Sequence, residues 1–457
     1  MKQPTVGPIV GYTTTEQTRI FLRAAPAPEA PVFAGVRHRK LGETQWSEGV
    51  YSRLNTEYDM SDTLVLNNLT PDTRYEYQAG WFTTSTSKTA RQIDLQWPST
   101  LYTFKTASTQ SKRTHRYAVG SCRYLRLTLG VPSAPELGDE IFGAIHALSH
   151  PNPLDGLMMV GDQVYVDDMN FFAPDRNYVA ITQKYRAAFS QPHIRNLMAN
   201  TPTYMILDDH EIEDNWPAKK TTGDDVLFNN AMRAYEIYQA SHSPIHGLLP
   251  NGRIDRTPKH YWYSFADAAT DWFVMDCRTQ RTRTHTHTQM IDHEQEYELL
   301  KWLKNSTAKV KFVVSSVLFL LDQKHHHDGW TSFSAQRNRI LEWIREHAIK
   351  NVIFVSGDIH GSLTSQLTHS QDPTFIVHNI VSSPLCNSKL LPYAKSSSLS
   401  LDKALTTVGS DTYWPMLTSR VISEDNFACL TLEGLCLRVD FHNKKGQLLQ
   451  SVTIELK

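Results

Sequence analysis

The sequence has few cysteines and no long apolar run. Five cysteines stand among 457 residues, and this odd number without a CxxC pair argues against a disulfide framework. No apolar stretch approaches the roughly 20 residues that span a bilayer. The longest candidate, KFVVSSVLFLLD, contains two serines and predicts a buried strand. We therefore expect no membrane span.

The chain also lacks an excess of positive or negative charge. The chain has 46 Lys+Arg against 47 Asp+Glu, which gives a net charge of −1. Such a balance provides no general field for a nucleic acid polymer or an anionic membrane. If the protein binds a phosphate group, a local cluster of residues must bind it.

The first residues, MKQPTVGPIVGYTT, lack the basic and apolar regions and the cleavage site of a secretory leader. The expectation is a cytoplasmic protein if this N-terminus is native. If a leader has been removed, a periplasmic or secreted protein is expected instead.

Several common catalytic signatures are absent as well. The chain contains no GxxxxGK[ST], no HExxH, no GxSxG and no glycine fingerprint for a dinucleotide after a strand. These absences remove the phosphate-loop, zincin, nucleophile-elbow and dinucleotide-binding classes from consideration.

Residues 1–108 are typical of an all-β domain, because short β-rich runs alternate there with Pro, Gly and Asn turns. LTPDTRYEYQAG resembles the tyrosine corner of fibronectin type III and related sandwiches, with Tyr75 or Tyr77 bonded to nearby backbone. We predict a fibronectin- or immunoglobulin-like β-sandwich over 1–108. The polar stretch 109–115 is the predicted linker, and 109–457 the second domain.

From Tyr117 onward, apolar strands alternate with amphipathic helical segments, which predicts a largely parallel sheet covered by helices. The C-terminal tail differs, since turn signals at Glu433-Gly434 and Lys445-Gly446 predict an antiparallel meander at a sheet edge. The second domain is therefore expected to be α/β.

Four apolar runs of this domain break abruptly at Gly or Asp. Open α/β sheets build their sites beyond the carboxyl ends of the strands, so we expect the residues after these runs to converge. The segments are VGSC (Cys122), MMVGDQVY (Asp162 and Tyr165), MILDDHE (Asp208, Asp209 and His210) and VIFVSGDIH (Asp358 and His360).

The order GSC, GDxxY, DDHE and GDxH resembles the calcineurin-like metallophosphatases, and within them the alkaline phosphatase D (PhoD-like) family. DCRTQR (276–281) and DGW (328–330) are similar to further segments of that family. The resemblance implies a four-layer α/β/β/α metallophosphatase sandwich behind the β-sandwich, and an alkaline optimum. The lone His ligand of the superfamily has no evident counterpart, because the matching strand is KFVVSSVLF.

The same resemblance implies a two-metal site. Thiolate, carboxylate, phenolate and imidazole from Cys122, Asp162, Tyr165 and His360 suit a high-charge transition metal, and we expect Fe(III). A second ion would share Asp162 and bind Asp209 and Asp358. These hard oxygen donors favour Ca²⁺, and Zn²⁺, Mn²⁺ or Mg²⁺ are alternatives to either of the two ions.

Two cations about 3.5–4 Å apart could clamp the entering and leaving oxygens of a displacement at phosphorus, with a metal-activated hydroxide as nucleophile. His210 is the predicted general acid. Arg278 and Arg281 are predicted to hold phosphoryl oxygens through their guanidinium forks. The function so implied is a metal-dependent phosphoesterase for small phosphomonoesters, phosphodiesters or both.

Each of these residues also has a structural alternative. Cys122 could be a buried thiol, Tyr165 a packed aromatic ring, and His210 a hydrogen-bonded core histidine. Asp208 could cap a loop or bind metal beside Asp209. Arg278 and Arg281 could equally be ion-pair partners. Two further tracts contain histidines, namely His325–His327 and the pair His285 and His287. We expect these histidines to lie in solvated loops rather than to bind metal.

Two other functions compete with the phosphoesterase. One is a non-catalytic protein that binds a glycan or a protein partner, with a vestigial metallophosphatase domain. The other is a metal-dependent hydrolase of carboxylic esters or lipids.

Overall fold

The computed structural model describes most of the chain, namely residues 1–84, 95–128, 131–133, 138–169, 176–217, 225–283, 288–324, 328–388, 391–401, 403–409 and 411–457. His285, His287 and the tract 325–327 lie outside these ranges. Of the helices within them, none combines the length and the apolar character that a bilayer crossing requires.

In the described part of residues 1–108, seven strands form two antiparallel sheets, in the orders β1-β2-β5 and β4-β3-β6-β7. Their apolar side chains share one buried cluster, which includes Leu22 from the first sheet and Val36 from the second. The strands are β1 (Val6–Thr13), β2 (Thr18–Arg23), β3 (Val32–Lys40), β4 (Val50–Arg53), β5 (Ser61–Leu66), β6 (Arg74–Thr83) and β7 (Tyr102–Lys105).

Tyr75 makes the corner contact that the sequence predicts for Tyr75 or Tyr77. The backbone N–H of Thr70 donates to its hydroxyl oxygen at 2.8 Å, and its ring stacks on Phe104 at 5.2 Å. Tyr77 instead donates to the carbonyl of Ala199 at 2.7 Å. The second tyrosine therefore joins the two parts of the chain.

The strands that the structure describes after residue 108 form two large mixed sheets and two short hairpins. They are β8 (His115–Gly120), β9 (Leu127–Thr128), β10 (Val131–Pro132), β11 (Gly156–Val160), β12 (Thr203–Ile206), β13 (Tyr263–Asp267), β14 (Thr270–Val274), β15 (Thr282–Arg283), β16 (Thr288–Gln289), β17 (Val310–Ser315), β18 (Val352–Ser356), β19 (Leu363–His369), β20 (Ile376–Val381), β21 (Thr406–Val408), β22 (Asp411–Leu417), β23 (Asn426–Glu433), β24 (Cys436–Asn443) and β25 (Leu448–Glu455).

The first large sheet has the order β12-β11-β8-β23-β24-β25, and the second has the order β13-β14-β17-β18-β20-β19-β22-β21. Strands β8, β11 and β12 are parallel, as are β14, β17, β18 and β20. The predicted parallel strands are thus divided between two sheets. The predicted C-terminal meander is confirmed, because β23, β24 and β25 pair in antiparallel order at one edge.

Within the described ranges, six α-helices accompany the sheets. They are α1 (Glu140–Leu148), α2 (Tyr178–Phe189), α3 (Pro192–Asn200), α4 (Asp225–Tyr235), α5 (His293–Asn305) and α6 (Ser334–Glu346). Pro192 separates α2 from α3, since proline suits the first turn of a helix but interrupts its interior. Leu299 of α5 and Ile340 of α6 pack against the second sheet.

The two large sheets contact each other through aromatic side chains. Tyr204 of β12 stacks on Phe265 of β13 with ring centroids 3.7 Å apart, and Tyr117 of β8 meets Trp272 of β14 at 4.9 Å. Both faces of the parallel strands are therefore covered. This explains why their sequences are continuous apolar runs rather than alternating ones.

The N-terminal sheets are also packed tightly onto the rest of the chain. Phe21 of β2 belongs to the same buried core as the first large sheet, and Arg19 donates to the carbonyl of His246 at 2.7 Å. The predicted linker is held in place as well, because Arg113 pairs with Asp155 at 2.8 Å and His115 begins β8. The boundary near residue 108 stays a prediction.

Removing residues 1–108 is expected to leave an insoluble or partly unfolded remainder, because it would expose core that Phe21 now covers. Phe21→Ala alone should lower the free energy of unfolding by about 3–5 kcal/mol, measured by chemical denaturation. Leu101→Ala is the control, since Leu101 is 45% exposed. A soluble fragment 109–457 that unfolds at the full-length temperature would contradict this expectation.

Candidate metal centre

The four predicted segments all follow buried strands, namely β8, β11, β12 and β18. Four of their residues have left-handed backbone, with φ of 56° at Cys122, 56° at Asp162, 70° at Asp358 and 51° at His360. This conformation costs a non-glycine residue on the order of 1–3 kcal/mol and persists only where its surroundings enforce it. Such residues concentrate at functional sites.

Close approach of two loops requires a glycine at position 161. Its φ is +89°, and a Cβ added there would lie 2.5 Å from the Cβ of Asp208. The G of GDQVY therefore lets the loop after β11 lie directly against the loop after β12.

Donor atoms from three of the four segments lie close together. One ligand atom each from Asp162, Asp209 and His210 lies within 4.8 Å of the others. Cys122 Sγ is 3.3 Å from Asp162 Oδ2, and the Tyr165 ring stacks on His210 at 4.1 Å. Sulfur, phenol, carboxyl and imidazole groups thus share one buried pocket.

Asp358 and His360 lie beside this cluster. The charges of Asp208, Asp209 and Asp328 act on Asp358, and those of His210 and Asp209 act on His360. Within the described residues, neither side chain belongs to a group of three donors within 4.8 Å. Their roles as ligands stay predictions.

The anionic forms of the donor groups are disfavoured in this pocket. Burial, then the Asp162 carboxylate, raises the pKa of the Cys122 thiol. Burial, then Asp209, raises the pKa of Asp162, and burial, then Asp162, raises the pKa of Tyr165. Burial, then Asp208, likewise raises the pKa of Asp358. The pocket therefore holds more acidic groups than its own positive charges can neutralise.

His210 is surrounded by carboxylates. Burial lowers its pKa, but Asp209, Asp167 and Asp162 outweigh that effect and raise the pKa well above its ordinary value. Its Nδ1 lies 2.8 Å from Asp167 Oδ2, and its Nε2 lies 3.8 Å from Asp214 Oδ1. The imidazole is thereby oriented and favoured in its protonated form.

Arg278 is buried at 1% exposure and bonded to several acidic groups. Its Nε lies 2.5 Å from Asp208 Oδ1, and its Nη2 lies 3.5 Å from Asp209 Oδ1 and 2.7 Å from Asp328 Oδ2. Arg281 also pairs with Asp328, at 2.7 Å. Both arginines thus form ion pairs, as the alternative to a phosphoryl-binding role supposed. Their binding of a phosphoryl group stays a prediction.

Asp208 differs from Asp209 in its contacts. Asp208 Oδ1 accepts from Arg278 and from Ser316 Oγ, the latter at 2.8 Å, and burial raises its pKa to about 6. The pKa of Asp209 is lowered instead, because Arg278 and His210 outweigh the effect of its burial. The sequence alone does not separate these neighbouring acids.

Glu211 holds the loops after β11 and β12 together, a role that the sequence analysis missed. Its carboxylate accepts backbone N–H groups from Asp162 at 3.0 Å, Gln163 at 2.7 Å and Asp208 at 2.9 Å. Gln239 adds a side-chain N–H at 3.1 Å. The glutamate of the DDHE segment is the sequence signal that could have identified this residue.

Two more functional candidates escaped the sequence analysis. Asp167, two residues after Tyr165, orients His210, and the first acid in the run VDD was its signal. Ser383 donates to Cys122 Sγ at 3.2 Å, and its segment VSSPLC carries no pattern that marks it.

A second group of potential donors lies away from this pocket. His115, Asp155 and Asp267 also place ligand atoms within 4.8 Å of one another. Arg113 already pairs with both carboxylates, at 2.8 and 2.7 Å. We interpret this group as an ion-pair network that fixes the start of β8.

Comparisons with known proteins bear on the family and the fold. Residues 129–420 match the family described as PhoD-like phosphatase. Alkaline phosphatase D of Bacillus subtilis (strain 168) is 26% identical over 251 residues, which are 47% of this chain and only 42% of that relative's length. A solved structure described as "Structure of PhoD" matches with a TM-score of 0.74 over 99% of this chain and 89% of that chain. Its sequence identity is 16%, so it shows a shared mixed α/β fold with large sheets.

Glu211→Gln should destabilise the protein, because an amide nitrogen cannot accept the backbone N–H groups that now meet the carboxylate. Each buried donor left without an acceptor costs about 1–3 kcal/mol, measurable as a lower thermal unfolding midpoint. Glu346→Gln is the matched control on an exposed helix position. Equal midpoints for the two variants would show that Glu211 does not hold the loops.

Proposed function

The chain belongs to the PhoD-like phosphatase family, and from this membership we propose that it is a metal-dependent phosphoesterase. Its substrates would be small phosphomonoesters, phosphodiesters or both. We also infer the finer architecture, a four-layer α/β/β/α metallophosphatase sandwich preceded by a fibronectin type III-like domain. The two contacting sheets and the corner contact of Tyr75 support it.

One observation carries the proposal: buried donor atoms of Asp162 and Asp209 lie within 4.8 Å of each other, with Cys122 Sγ 3.3 Å from Asp162 Oδ2 and the proposed acid His210 beside them. Burial raises the pKa values of Asp162 and Asp358, whereas Asp209 is paired with Arg278. Buried acids without compensating charge are costly, and bound cations would remove that cost. The donor set therefore fits metal ions.

Cys122, Asp162, Tyr165 and His360 would hold Fe(III). Asp162, Asp209 and Asp358 would hold Ca²⁺, or Zn²⁺, Mn²⁺ or Mg²⁺ in its place. When bound, such a pair supplies Lewis acidity and lowers the pKa of water enough to provide a nucleophile near neutral pH. The remaining tasks belong to protein side chains.

His210 would give a proton to the leaving oxygen of the ester. Asp167 accepts from Nδ1 and so fixes the ring, while Nε2 is the nitrogen left to act on substrate. Asp167, which is outside the proposed ligand set, lies 2.8 Å from Nδ1 and favours the protonated imidazole before that transfer. This arrangement suits a general acid.

Arg278 would act mainly on the acids around it. Because its guanidinium contacts Asp208, Asp209 and Asp328, it can hold the Asp209 carboxylate ionised and aimed at the pocket. Arg281 supports the same network through Asp328. A direct contact of either arginine with a phosphoryl group would require these ion pairs to open.

The proposed activity is tested with p-nitrophenyl phosphate and bis(p-nitrophenyl) phosphate. Hydrolysis should disappear after chelation and return when metal is added back, and elemental analysis should find iron and a second metal. The ratio of the two rates gives the ester preference. If protein fully loaded with metal hydrolyses neither compound, the non-catalytic binding function is favoured instead.

His210→Ala should lower turnover by roughly 10²–10⁴-fold while the metal content is unchanged, because the general acid is lost and the ligands remain. Turnover and metal content are measured on the same preparation. His150→Ala, at an exposed histidine, is the control. Loss of metal from the His210 variant would instead assign that residue to the ligands.

A further inference from the structure

The segment 382–386, which follows β20, connects loops of both large sheets. Leu385 N donates to Ser121 O at 2.8 Å, and Cys386 N donates to Cys122 O at 3.1 Å. On the other side, Ser382 N donates to Ser356 O at 3.0 Å. The segment therefore fixes the loop after β8 relative to the end of β18, although the two belong to different sheets.

Ser383 carries this connection into the pocket through its side chain. The backbone N–H of His360 donates to Ser383 Oγ at 3.2 Å. A backbone N–H can only donate, so the hydroxyl proton of Ser383 is free for another acceptor. That acceptor is Cys122 Sγ, at 3.2 Å.

The serine is locked in this orientation. Its N–H donates to Ser362 Oγ at 2.9 Å, and Ser362 Oγ donates back to its carbonyl oxygen at 3.0 Å. Ser383 is also fully buried, so water does not compete for its hydroxyl group. The bond to sulfur remains when the thiol loses its proton, because a thiolate is purely an acceptor.

We propose that Ser383 is a positioning residue. It fixes Cys122 and His360 relative to each other and tunes the electronic properties of the metal bound by the sulfur. The inference rests on the proposed metal centre, in which both residues are ligands. A hydrogen bond to a ligating sulfur withdraws electron density from it and thereby shifts the electronic properties of the metal. Loss of an outer hydrogen bond of this kind typically weakens metal binding 10–100-fold.

The test compares metal binding and visible absorption in the full-length protein. Ser383→Ala should lower iron affinity roughly 10–100-fold in competition with a chelator. It should also move the sulfur-to-iron charge-transfer band to longer wavelength. Ser383→Thr keeps a hydroxyl group and should restore both properties.

Ser382→Ala is the matched control, because this neighbouring buried serine donates to Val119 O rather than to Cys122. It should leave the affinity and the band unchanged. If Ser383→Ala does not fold, Ser383→Cys, which carries a weaker donor, should give an intermediate band shift. Circular dichroism confirms the fold of each variant.

Two outcomes would overturn the inference, and they are distinguishable. If Ser383→Ala matches Ser382→Ala while Cys122→Ala abolishes the band, Ser383 has no role although the metal centre is correct. If the band and iron content persist in Cys122→Ala, Cys122 is not a ligand. The proposed metal centre then fails together with the inference.

Discussion

The rest of this structure depends on the burial of acidic groups around one point. Cys122, Asp162, Tyr165 and Asp358 all have raised pKa values, with burial as the leading cause. Removing several potential anions from water is expensive unless cations or hydrogen-bond donors compensate for it. Arg278 compensates on one side through Asp208 and Asp209, and bound metal ions are the natural compensation on the other.

The loops around these acids are held by hydrogen bonds as well as by apolar packing, to which Val164 and Ile359 contribute. Glu211 accepts backbone N–H groups from two loops of the first large sheet. The segment 382–386 bonds to the loop after β8 of that sheet and to the end of β18 of the second large sheet. The left-handed backbone at Cys122, Asp162, Asp358 and His360 is the strain that these contacts sustain. The same contacts keep the donors in place before any ligand arrives.

Much of the fold and part of the site could be predicted without coordinates. Apolar runs that end at Gly or Asp marked β8, β11, β12 and β18, because a strand buried on both faces must be apolar and its loop begins where polarity returns. The division of the parallel strands between two sheets could not be predicted, since pairing is decided by long-range contacts such as Tyr204 with Phe265. The close packing of Phe21 against the first large sheet was hidden for the same reason.

The sequence by itself determined which chemical groups are available, their order along the chain and the strands that carry them, because hydrophobic pattern and residue type are local properties. Only the tertiary structure decided which of them meet. Folding brings Arg278 to its carboxylate partners, Asp167 to His210 and Ser383 to Cys122. The residues in these contacts are 43 to 261 positions apart in the sequence. Hydrogen bonds and ion pairs depend on distances of a few ångströms, and chain folding alone sets those distances.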